Sequence, residues 1–313
     1  MLGYIVRRLI ATIPVMAVVA IFVFSLLYFA PGDPAAIIAG DLATAQDIAR
    51  IHHQLGLDEP FLVRFWQWTW GVLRGDLGIS IFTNLPVSQL IQQRVEPTVA
   101  LTITTLVVSV SLAIPIGVLA AWRAGSWIDR GVMGFAVLGF SVPSFVLAYV
   151  LILIFSVELD WLPVQGYSSI AAGFWPFLQH LILPSTALGL IYAALIARIT
   201  RASMLEVLSQ DYIRTAHAKG LSSQHVLVGH ALKNAAVPIV TIIGIGVALL
   251  ISGVIVTETV FAIPGIGRLT VDAILRRDYP IIQGVILLFS AAYVIVNLLV
   301  DLSYTVLDPR VRY

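Results

Sequence analysis

The 313-residue sequence has no cysteine, only two lysines and few charged residues of either sign. Without cysteine, the chain can form no disulfide bond, thiolate metal site or cysteine nucleophile. The two lysines, Lys219 and Lys233, do not lie in a GxxxxGK[ST] run, so the sequence contains no P-loop that could hold a nucleotide. The formal net charge of +1 indicates neither nucleic acid nor another polyanion as a partner. A process driven by ATP would therefore need a separate protein to bind the nucleotide.

Hydrophobic residues dominate the sequence instead, at 59% against 11% charged residues, which excludes an ordinary soluble domain. Six apolar runs are each close to the ~20 residues that span a bilayer. They lie at about residues 9–30, 98–121, 131–157, 181–200, 236–257 and 281–300. The first run follows Arg7-Arg8, but it is too long for the apolar part of a signal peptide and lacks a small-residue cleavage pattern. We therefore predict an all-α integral membrane protein with six transmembrane helices, the first of them retained.

The centres of these six runs contain no Asp, Glu, Lys, Arg or His. Ionisable residues inside a membrane usually mark ion or proton pathways, so their absence disfavours a proton- or sodium-coupled carrier. It equally disfavours a channel with a charged filter. Polar residues such as Thr102, Thr104 and Asn297 remain, and they could line a path or join neighbouring helices.

A long polar stretch follows the first run, at residues 31–96. A short helix is expected at 46–55, ending at Gly56, and a second from Pro60 to Leu73. Trp66, Trp68 and Trp70 lie within the second helix. Aromatic residues at this density are typical of a helix lying along the lipid headgroups, but a small packed subdomain outside the membrane explains them equally well.

The segment at 211–238 is a polar, basic stretch between two apolar runs. Leu205, Leu208, Tyr212 and Ala216 recur at spacings of three and four, which predicts one face of an amphipathic helix. Lys219-Gly220 is expected to end that helix, with the glycine in a left-handed conformation. Ser222 or Ser223 can cap a second helix that continues from Gln224 into the next apolar run. Two short helices meeting at a glycine form a compact projection that a partner protein could move.

The basic residues indicate the orientation of the chain in the membrane. With the N-terminus inside, eleven lie on the side of the 211–238 segment, against seven on the other side, and cytoplasmic loops carry the excess. The larger set is Arg7, Arg8, Arg123, Arg130, Arg198, Arg201, Arg214, Lys219, Lys233, Arg310 and Arg312. The 211–238 segment and both termini are therefore predicted to be cytoplasmic, and the loop at 258–280 to face outward.

The 211–238 segment resembles the EAA loop of permease subunits in binding-protein-dependent ATP-binding-cassette (ABC) importers of the dipeptide, oligopeptide and nickel branch. Arg214-Thr215-Ala216 occupies the place of the Glu-Ala-Ala triplet, and Gly220 follows at the expected spacing. HALKN at 230–234 replaces the Ile-x-Leu-Pro tail, as is typical of the peptide branch. Further matches cover nearly the whole chain: PGDP at 31–34, QLGLDEP at 54–60, GDLGIS at 75–80, PGIG at 264–267, RRDYP at 276–280 and NLLVDLSYTVLDPR at 297–310.

The resemblance implies the type I importer (MetI-like) permease fold, with six transmembrane helices and a long extracytoplasmic loop after the first. It implies four segments: the first helix within 1–30, the extracytoplasmic region 31–96, a transmembrane domain at 97–303 containing the cytoplasmic loop 201–235, and a cytoplasmic tail at 304–313. It also implies a non-catalytic subunit without its own cofactor in the bacterial inner membrane. The expected partners are a homologous second permease, two subunits that bind ATP and Mg²⁺, and an extracytoplasmic solute-binding protein.

The residues implied to dock onto an ATP-binding subunit are Asp211, Arg214, Thr215, Ala216, Lys219, Gly220, Leu221 and Ser222. Dipeptides or short peptides are the expected substrate, with the tripeptide glutathione second and nickel third. His217, His225 and His230 are spaced by eight and five residues, which matches no recognised metal-ligand pattern and favours surface histidines. A mostly neutral pathway also suits a zwitterionic peptide better than a bare cation. The sequence identifies no substrate-binding residue.

The absence of native cysteine allows the orientation to be tested with single introduced cysteines. Thr44→Cys should react with a membrane-impermeant thiol reagent in intact cells, because residue 44 is expected outside. Ser223→Cys should react only after the cells are permeabilised. Labelling of Ser223→Cys in intact cells would overturn the predicted orientation.

Overall fold

The computed structural model describes residues 2–29, 34–39, 43–54 and 57–307, and these residues are helical along most of their length. Within them, the only β pairing is an isolated bridge between Ile79 and Pro86. The helices are α1 (Leu2–Phe29), α2 (Pro34–Ala39), α3 (Ala45–Gln54), α4 (Phe61–Leu73), α5 (Val87–Trp122), α6 (Trp127–Ser141), α7 (Ser144–Ile152), α8 (Phe174–Leu208), α9 (Asp211–Ala218), α10 (Ser223–His225), α11 (Lys233–Val260), α12 (Ile266–Arg276) and α13 (Tyr279–Leu307). Two π-helical segments, Leu153–Glu158 and Val226–Leu232, and a 3₁₀ turn, Ile170–Ala172, complete the set.

Five of these helices are long and apolar enough to cross a membrane, and a bent pair of helices makes a sixth candidate. The five are α1, α5, α8, α13 and the continuous helix Ser223–Ile251 that leads into α11, and the bent pair is α6 with α7 and the π-helical segment after it. All six predicted apolar runs therefore fall on candidate spans. The helices extend beyond the runs: α5 begins at Val87, inside the predicted extracytoplasmic region, and α13 continues to Leu307, inside the predicted tail. The remainder of that tail lies outside the described residues, as do Gly56 and most of the PGDP motif.

The third span is not the single helix expected at 131–157. It breaks between α6 and α7, where the chain bends by 103°. Pro143 lacks the N–H needed to continue α6, and proline disfavours helical geometry in the residue before it. Val142 accordingly has extended backbone angles, with φ −92° and ψ 121°. Pro14, Pro184 and Pro238 lie inside continuous helices, so neighbouring structure decides which proline breaks a span.

The chain forms two compact units. The first, here called the N-terminal unit, comprises residues 1–94 and 269–294, and the second, the core unit, comprises residues 95–268 and 295–313. In the N-terminal unit, α4 packs on α1 through aromatic side chains. The ring of Phe24 lies 5.3 Å from that of Phe61, 5.5 Å from that of Phe65 and 5.3 Å from that of Trp68.

This contact resolves part of the ambiguity in the tryptophan-rich helix. The α4 helix begins after Pro60 as predicted, and its inner face is packed, with Arg64 buried beside the ring of Phe24. Its other face is apolar and exposed, because Leu62 is 76% exposed and Trp66 is 67% exposed. The helix therefore has one packed side and one exposed apolar side, and its placement along the lipid headgroups stays a prediction.

Two motifs that are almost 200 residues apart in sequence meet in the N-terminal unit. Ser80, from GDLGIS, donates a hydrogen bond from Oγ to Oδ2 of Asp278, from RRDYP, at 2.6 Å. Both side chains are buried, with residue exposures of 1% and 2%. Gly78 has φ +86°, and a Cβ there would lie 3.7 Å from Pro280. The two motifs therefore hold together the two parts of this unit that are distant in sequence, residues 1–94 and 269–294.

Helix α8 lies at the centre of the core unit, where it packs against α6, α7 and α11. Glycine allows two of its neighbours to approach its backbone. A Cβ on Gly117 of α5 would lie 2.7 Å from Thr200 Cβ and 2.8 Å from the carbonyl oxygen of Ala197. A Cβ on Gly139 of α6 would lie 2.6 Å from Ala194 Cβ. Small residues commonly permit such close approach between membrane helices.

Gly117→Ala is expected to lower the thermal unfolding temperature of the purified protein in detergent. The added methyl group would push α5 away from α8, and overpacking of this kind costs about 1–3 kcal/mol. Gly134→Ala is the matched control, because Gly134 also lies inside a helix but a Cβ there meets no atom within 4 Å among the described residues. Equal unfolding temperatures for the two variants would contradict the close-packing explanation.

Candidate functional site

The sequence predicted one amphipathic helix through Leu205, Leu208, Tyr212 and Ala216, and this prediction is wrong. Helix α8 ends at Leu208, and α9 starts afresh at Asp211 after Ser209 and Gln210. The helical repeat therefore changes phase between the two parts. Ile213, 3% exposed, takes the buried position that had been expected for Tyr212, which is 44% exposed. Ala216 is buried as expected, at 7% exposed.

The buried face of α9 rests on a hydrophobic cluster at one end of the core unit. Ile213 and Ala216 pack there with residues from the ends of α5, α8 and α11 and from the π-helical segment. The other buried members of the cluster are Ala121, Met204, Val226, Leu227, Ala231, Ala235 and Ile239. Because burying a large aliphatic side chain contributes roughly 1.5–3 kcal/mol, this contact fixes α9 on the ends of several spans.

Seven of the eight predicted docking residues are exposed: Asp211, Arg214, Thr215, Lys219, Gly220, Leu221 and Ser222. We call these seven residues the coupling surface, after the role predicted for them from the sequence. The eighth, Ala216, lies beneath it in the cluster and holds α9 in place. Arg214 and Asp211 form an exposed ion pair at 3.6 Å. Seven of the predicted residues thus lie on one exposed projection, and the eighth, Ala216, is a buried residue that packs α9 onto the cluster.

The left-handed conformation predicted for Gly220 is confirmed. Gly220 has φ +79°, the left-handed conformation that ends a helix, and its N–H donates to the carbonyl oxygen of His217 at 2.9 Å. Ser222 caps the next helix, because its Oγ accepts from the N–H of His225 at 3.4 Å. A Cβ at Gly220 would meet no atom of the described residues within 4 Å. Within that part of the chain, backbone conformation alone therefore favours glycine here.

The predicted second helix does continue into the next span, but part of it is π-helical. α10 leads through Val226–Leu232 into α11 without interruption. Segments of π-helix are rare and often occur at functional sites. The sequence carried no signal for it, since a π-helix has no distinct residue pattern. The rings of His225 and His230 lie 5.7 Å apart at its edge, and among the described residues no group of three potential metal ligands occurs.

Glu258 was predicted to lie in an outward loop, but it lies in the last turn of α11 and is fully buried. Its Oε1 accepts from the hydroxyl of Thr98 at 2.5 Å, and its Oε2 accepts from the N–H of Arg268 at 2.9 Å. The Thr98 hydroxyl in turn accepts from the N–H of Ile266, the first residue of α12. A Cβ on Gly265 would collide with the Glu258 carboxylate, which explains a glycine of the PGIG motif.

A second carboxylate holds the loop that follows the bent span. Glu96 accepts hydrogen bonds from Tyr167 Oη at 3.0 Å, Ser169 Oγ at 2.6 Å and the N–H of Ile170 at 3.2 Å. Burial, together with the hydrogen bond to Glu96, raises the pKa of Tyr167 well above its usual value. The phenol therefore remains protonated and donates to Glu96 throughout the physiological pH range.

Polar side chains within the spans mostly join helices or bond to their own backbone. Thr104 of α5 shares a hydrogen bond with Ser185 of α8 at 2.6 Å, and Thr241 of α11 shares one with Tyr304 of α13 at 2.9 Å. Thr102 donates to the carbonyl oxygen of Thr98 in its own helix. Of the two roles considered for Thr104, the structure supports contact between helices.

Comparison with known families identifies the chain. A family model described as the binding-protein-dependent transport system inner membrane component matches residues 113–313, and the model of the N-terminal part of such components matches residues 1–102. The chain belongs to this family. It is therefore an integral membrane protein of a bacterial inner membrane and a permease subunit of an ABC importer. In this family ATP is hydrolysed by separate subunits, so the chain is not an enzyme.

Similar proteins support the same assignment. The "Probable peptide ABC transporter permease protein y4tP" of Sinorhizobium fredii (strain NBRC 101917 / NGR234) is 58% identical over 310 residues, covering 99% of each chain. The "Glutathione transport system permease protein GsiC" of Salmonella choleraesuis (strain SC-B67) is 46% identical over the full length of both chains. An inward-facing structure of the MetNI methionine ABC transporter matches with a TM-score of 0.58 at 18% identity, over 70% of this chain and 97% of that one. The predicted type I importer fold is confirmed.

Ile213→Ala is expected to loosen α9 from the core unit. Removal of a buried isoleucine side chain typically costs about 2–5 kcal/mol, and here the loss falls on the contact that holds one short helix. Hydrogen exchange of the α9 amides, followed by mass spectrometry of the purified permease, should become faster.

Tyr212→Ala is the matched control, because Tyr212 is the neighbour of Ile213 on α9 and its side chain is nearly half exposed. It should leave the exchange rate of α9 close to that of the wild type. If the two variants exchanged equally fast, Ile213 would not be the anchor.

Proposed function

We propose that this permease subunit imports di- or oligopeptides across the inner membrane, driven by ATP-binding subunits that dock on the coupling surface. The observation that carries the docking role is the exposed projection Asp211–Ser222, with left-handed Gly220 at its corner and a buried anchor beneath it. Because the projection is packed on the ends of several spans, a movement of a bound partner would be transmitted to those spans. The peptide substrate is supported by the relative of 58% identity, whose name describes a peptide permease.

The proposed assembly has four kinds of component. This chain pairs with a homologous second permease, two ATP-binding subunits supply ATP and Mg²⁺ sites at the cytoplasmic face, and an extracytoplasmic solute-binding protein delivers the peptide. Both termini and the coupling surface lie in the cytoplasm. The excess of basic residues on that side supports this orientation.

Transport follows from contacts that differ between two states of the assembly. Closure of the ATP-binding subunits moves the coupling surface, and the spans tilt from an inward-open to an outward-open arrangement. A ligand or partner can shift such an equilibrium only if it binds one state more tightly than the other. The mechanical path is short, because only Ser209 and Gln210 separate α8 from α9 and no break separates α10 from α11.

Glutathione is a second candidate substrate, and the relative of 46% identity named as a glutathione permease favours it. Glutathione is itself a tripeptide, so a pathway suited to short zwitterionic peptides also suits it. Nickel is a third candidate within the same transport machinery. A proton-coupled carrier or a channel is disfavoured by the lack of ionisable residues at the centres of the predicted spans.

Substitution of Gly220 tests the coupling role. In proteoliposomes with the full assembly, Gly220→Val is expected to abolish most ATP-dependent uptake of a radiolabelled dipeptide. A β-branched residue at positive φ is strained by roughly 1–2 kcal/mol, and its bulk projects from the coupling surface. Gly220→Ala should be milder, since it adds strain but little volume.

Gly220→Asn separates the two causes. Asparagine tolerates the left-handed conformation, so any loss of uptake reports on volume alone. Because a Cβ at this position meets no atom in the described part of the chain, an effect of volume indicates a partner at this surface. Wild-type uptake by Gly220→Val at equal membrane abundance would place the coupling site elsewhere.

Competition in the same assay distinguishes the substrates. Excess unlabelled dipeptide should block uptake by the wild-type assembly, whereas glutathione and Ni²⁺ should compete more weakly. If glutathione competed more strongly than the dipeptide, glutathione would be the substrate and the proposed transport mechanism would be unchanged.

A further inference from the structure

A partly buried ion pair joins the start of α6 to the end of α8. Both oxygens of the Asp129 carboxylate are engaged by one guanidinium: Arg201 Nε donates to Oδ1, and Arg201 Nη2 donates to Oδ2 at 2.8 Å. The side chain of Asp129 is 7% exposed and that of Arg201 is 23% exposed. Such a fork-shaped contact fixes direction as well as distance, which a single ammonium group cannot do.

The same carboxylate also fixes the turn between α5 and α6. Asp129 Oδ2 accepts from the N–H of Gly125 at 2.9 Å, and the N–H of Asp129 donates to Ser126 Oγ at 3.4 Å. This reciprocal pattern is a variant of the capping box that starts a helix. Gly125, at φ +80°, makes the turn possible. Asp129 therefore ties three parts of the chain together: the turn, α6 and α8.

The pair is placed where motion from the coupling surface would enter the spans. Arg201 lies in the last turns of α8, directly before α9. On the same helix, Met204 belongs to the cluster beneath α9. A second contact between α6 and α8, at Gly139 and Ala194, lies deeper in the core unit. Two contacts at different depths prevent α6 from pivoting freely against α8.

We propose that the Asp129–Arg201 pair is a positioning element that makes α6 move as one body with α8 and α9 when the ATP-binding subunits close. A buried ion pair is weak support for stability, because the loss of hydration offsets much of the attraction between the charges. Its geometry is better suited to holding a fixed arrangement. Here it couples α6, the first half of the bent span, to α8 and α9, on which the ATP-binding subunits are proposed to act. This inference rests on the proposed role of α9 as the docking element.

The test measures a distance rather than transport alone. The cysteine-free chain accepts spin labels at Gly131→Cys on α6, where a Cβ meets no atom of the described residues within 4 Å, and at exposed Gln210→Cys, the N-cap residue of α9. Neither position belongs to the projection Asp211–Ser222. Pulsed electron paramagnetic resonance then gives the α6–α9 distance in the full assembly, with and without ATP trapped by vanadate. The partner subunits are prepared without reactive cysteines.

With the native pair, one narrow distance is expected in both nucleotide states. Asp129→Asn should broaden the distribution, and the number of peptides imported per ATP hydrolysed should fall at least ~5-fold, the lower end of typical coupling strengths. Arg201→Lys keeps the charge but loses the fork, so it should show a smaller change in both readouts. Glu206→Gln is the matched control: it removes one acidic charge from an exposed position near the same end of α8 and should change neither readout.

An unchanged narrow distance in Asp129→Asn would overturn the proposal. So would a loss of protein abundance with normal import per assembled complex, since that result describes a purely structural contact. If the distances behave as expected but the wild-type assembly imports no peptide, the proposed substrate fails and the positioning role stands. If Gly220→Val retains full uptake while Asp129→Asn broadens the distance, the docking site fails instead.

Discussion

Close packing of backbones around α8 is the constraint on which the core unit depends. In a membrane, lipid solvates apolar side chains about as well as a neighbouring helix does, so helices associate through tight packing and polar contacts. Gly117 and Gly139 let α5 and α6 approach α8 until a single methyl group would not fit. Polar contacts then supplement the packing, as between Thr104 and Ser185. The position of the end of α8, and with it the position of α9, follows from these contacts.

Irregular backbone occurs at several points within the helices of the core unit. The break at Val142–Pro143 turns the third span into two helices, and the π-helical segment Val226–Leu232 leads from the coupling surface into α11. Irregular backbone at membrane depth is tolerated only where surrounding protein or water satisfies its polar groups. The packed cluster beneath α9 includes Val226, Leu227 and Ala231, so this segment is held by side chains while its hydrogen-bond pattern differs from that of an α-helix.

Buried or partly enclosed carboxylates hold distant segments together in both units. Asp278 binds Ser80 in the N-terminal unit, while Glu258 binds Thr98 and the start of α12 in the core unit. Each carboxylate lies near a helix end, where free backbone N–H groups and hydroxyl groups can satisfy it. Burial of a charge without such partners would be strongly unfavourable. These residues therefore act as structural ties, and Asp129 belongs to the same class with an arginine as its principal partner.

Local patterns predicted much of the coupling surface. A helix followed by a basic residue and glycine indicated the left-handed corner at Gly220, and a serine indicated the next cap at Ser222. Local patterns could not show the change of helical phase at Ser209–Gln210. A spacing rule assumes one continuous helix, whereas the end of α8 is set by packing against other spans. This is why Tyr212 was expected in the position that Ile213 occupies.

The sequence was sufficient to predict six apolar runs, the lack of a P-loop motif, the ends of α3 and α4 to within about a residue, and the family resemblance. These properties depend on composition, run length and short-range backbone preferences, all of which are local. Only the three-dimensional packing shows that Pro143 breaks a span while Pro184 does not, that Glu258 is buried, and that Asp129 contacts Arg201. Each of these outcomes depends on which side chains from distant parts of the chain fill the space around a residue, and no local pattern carries that information.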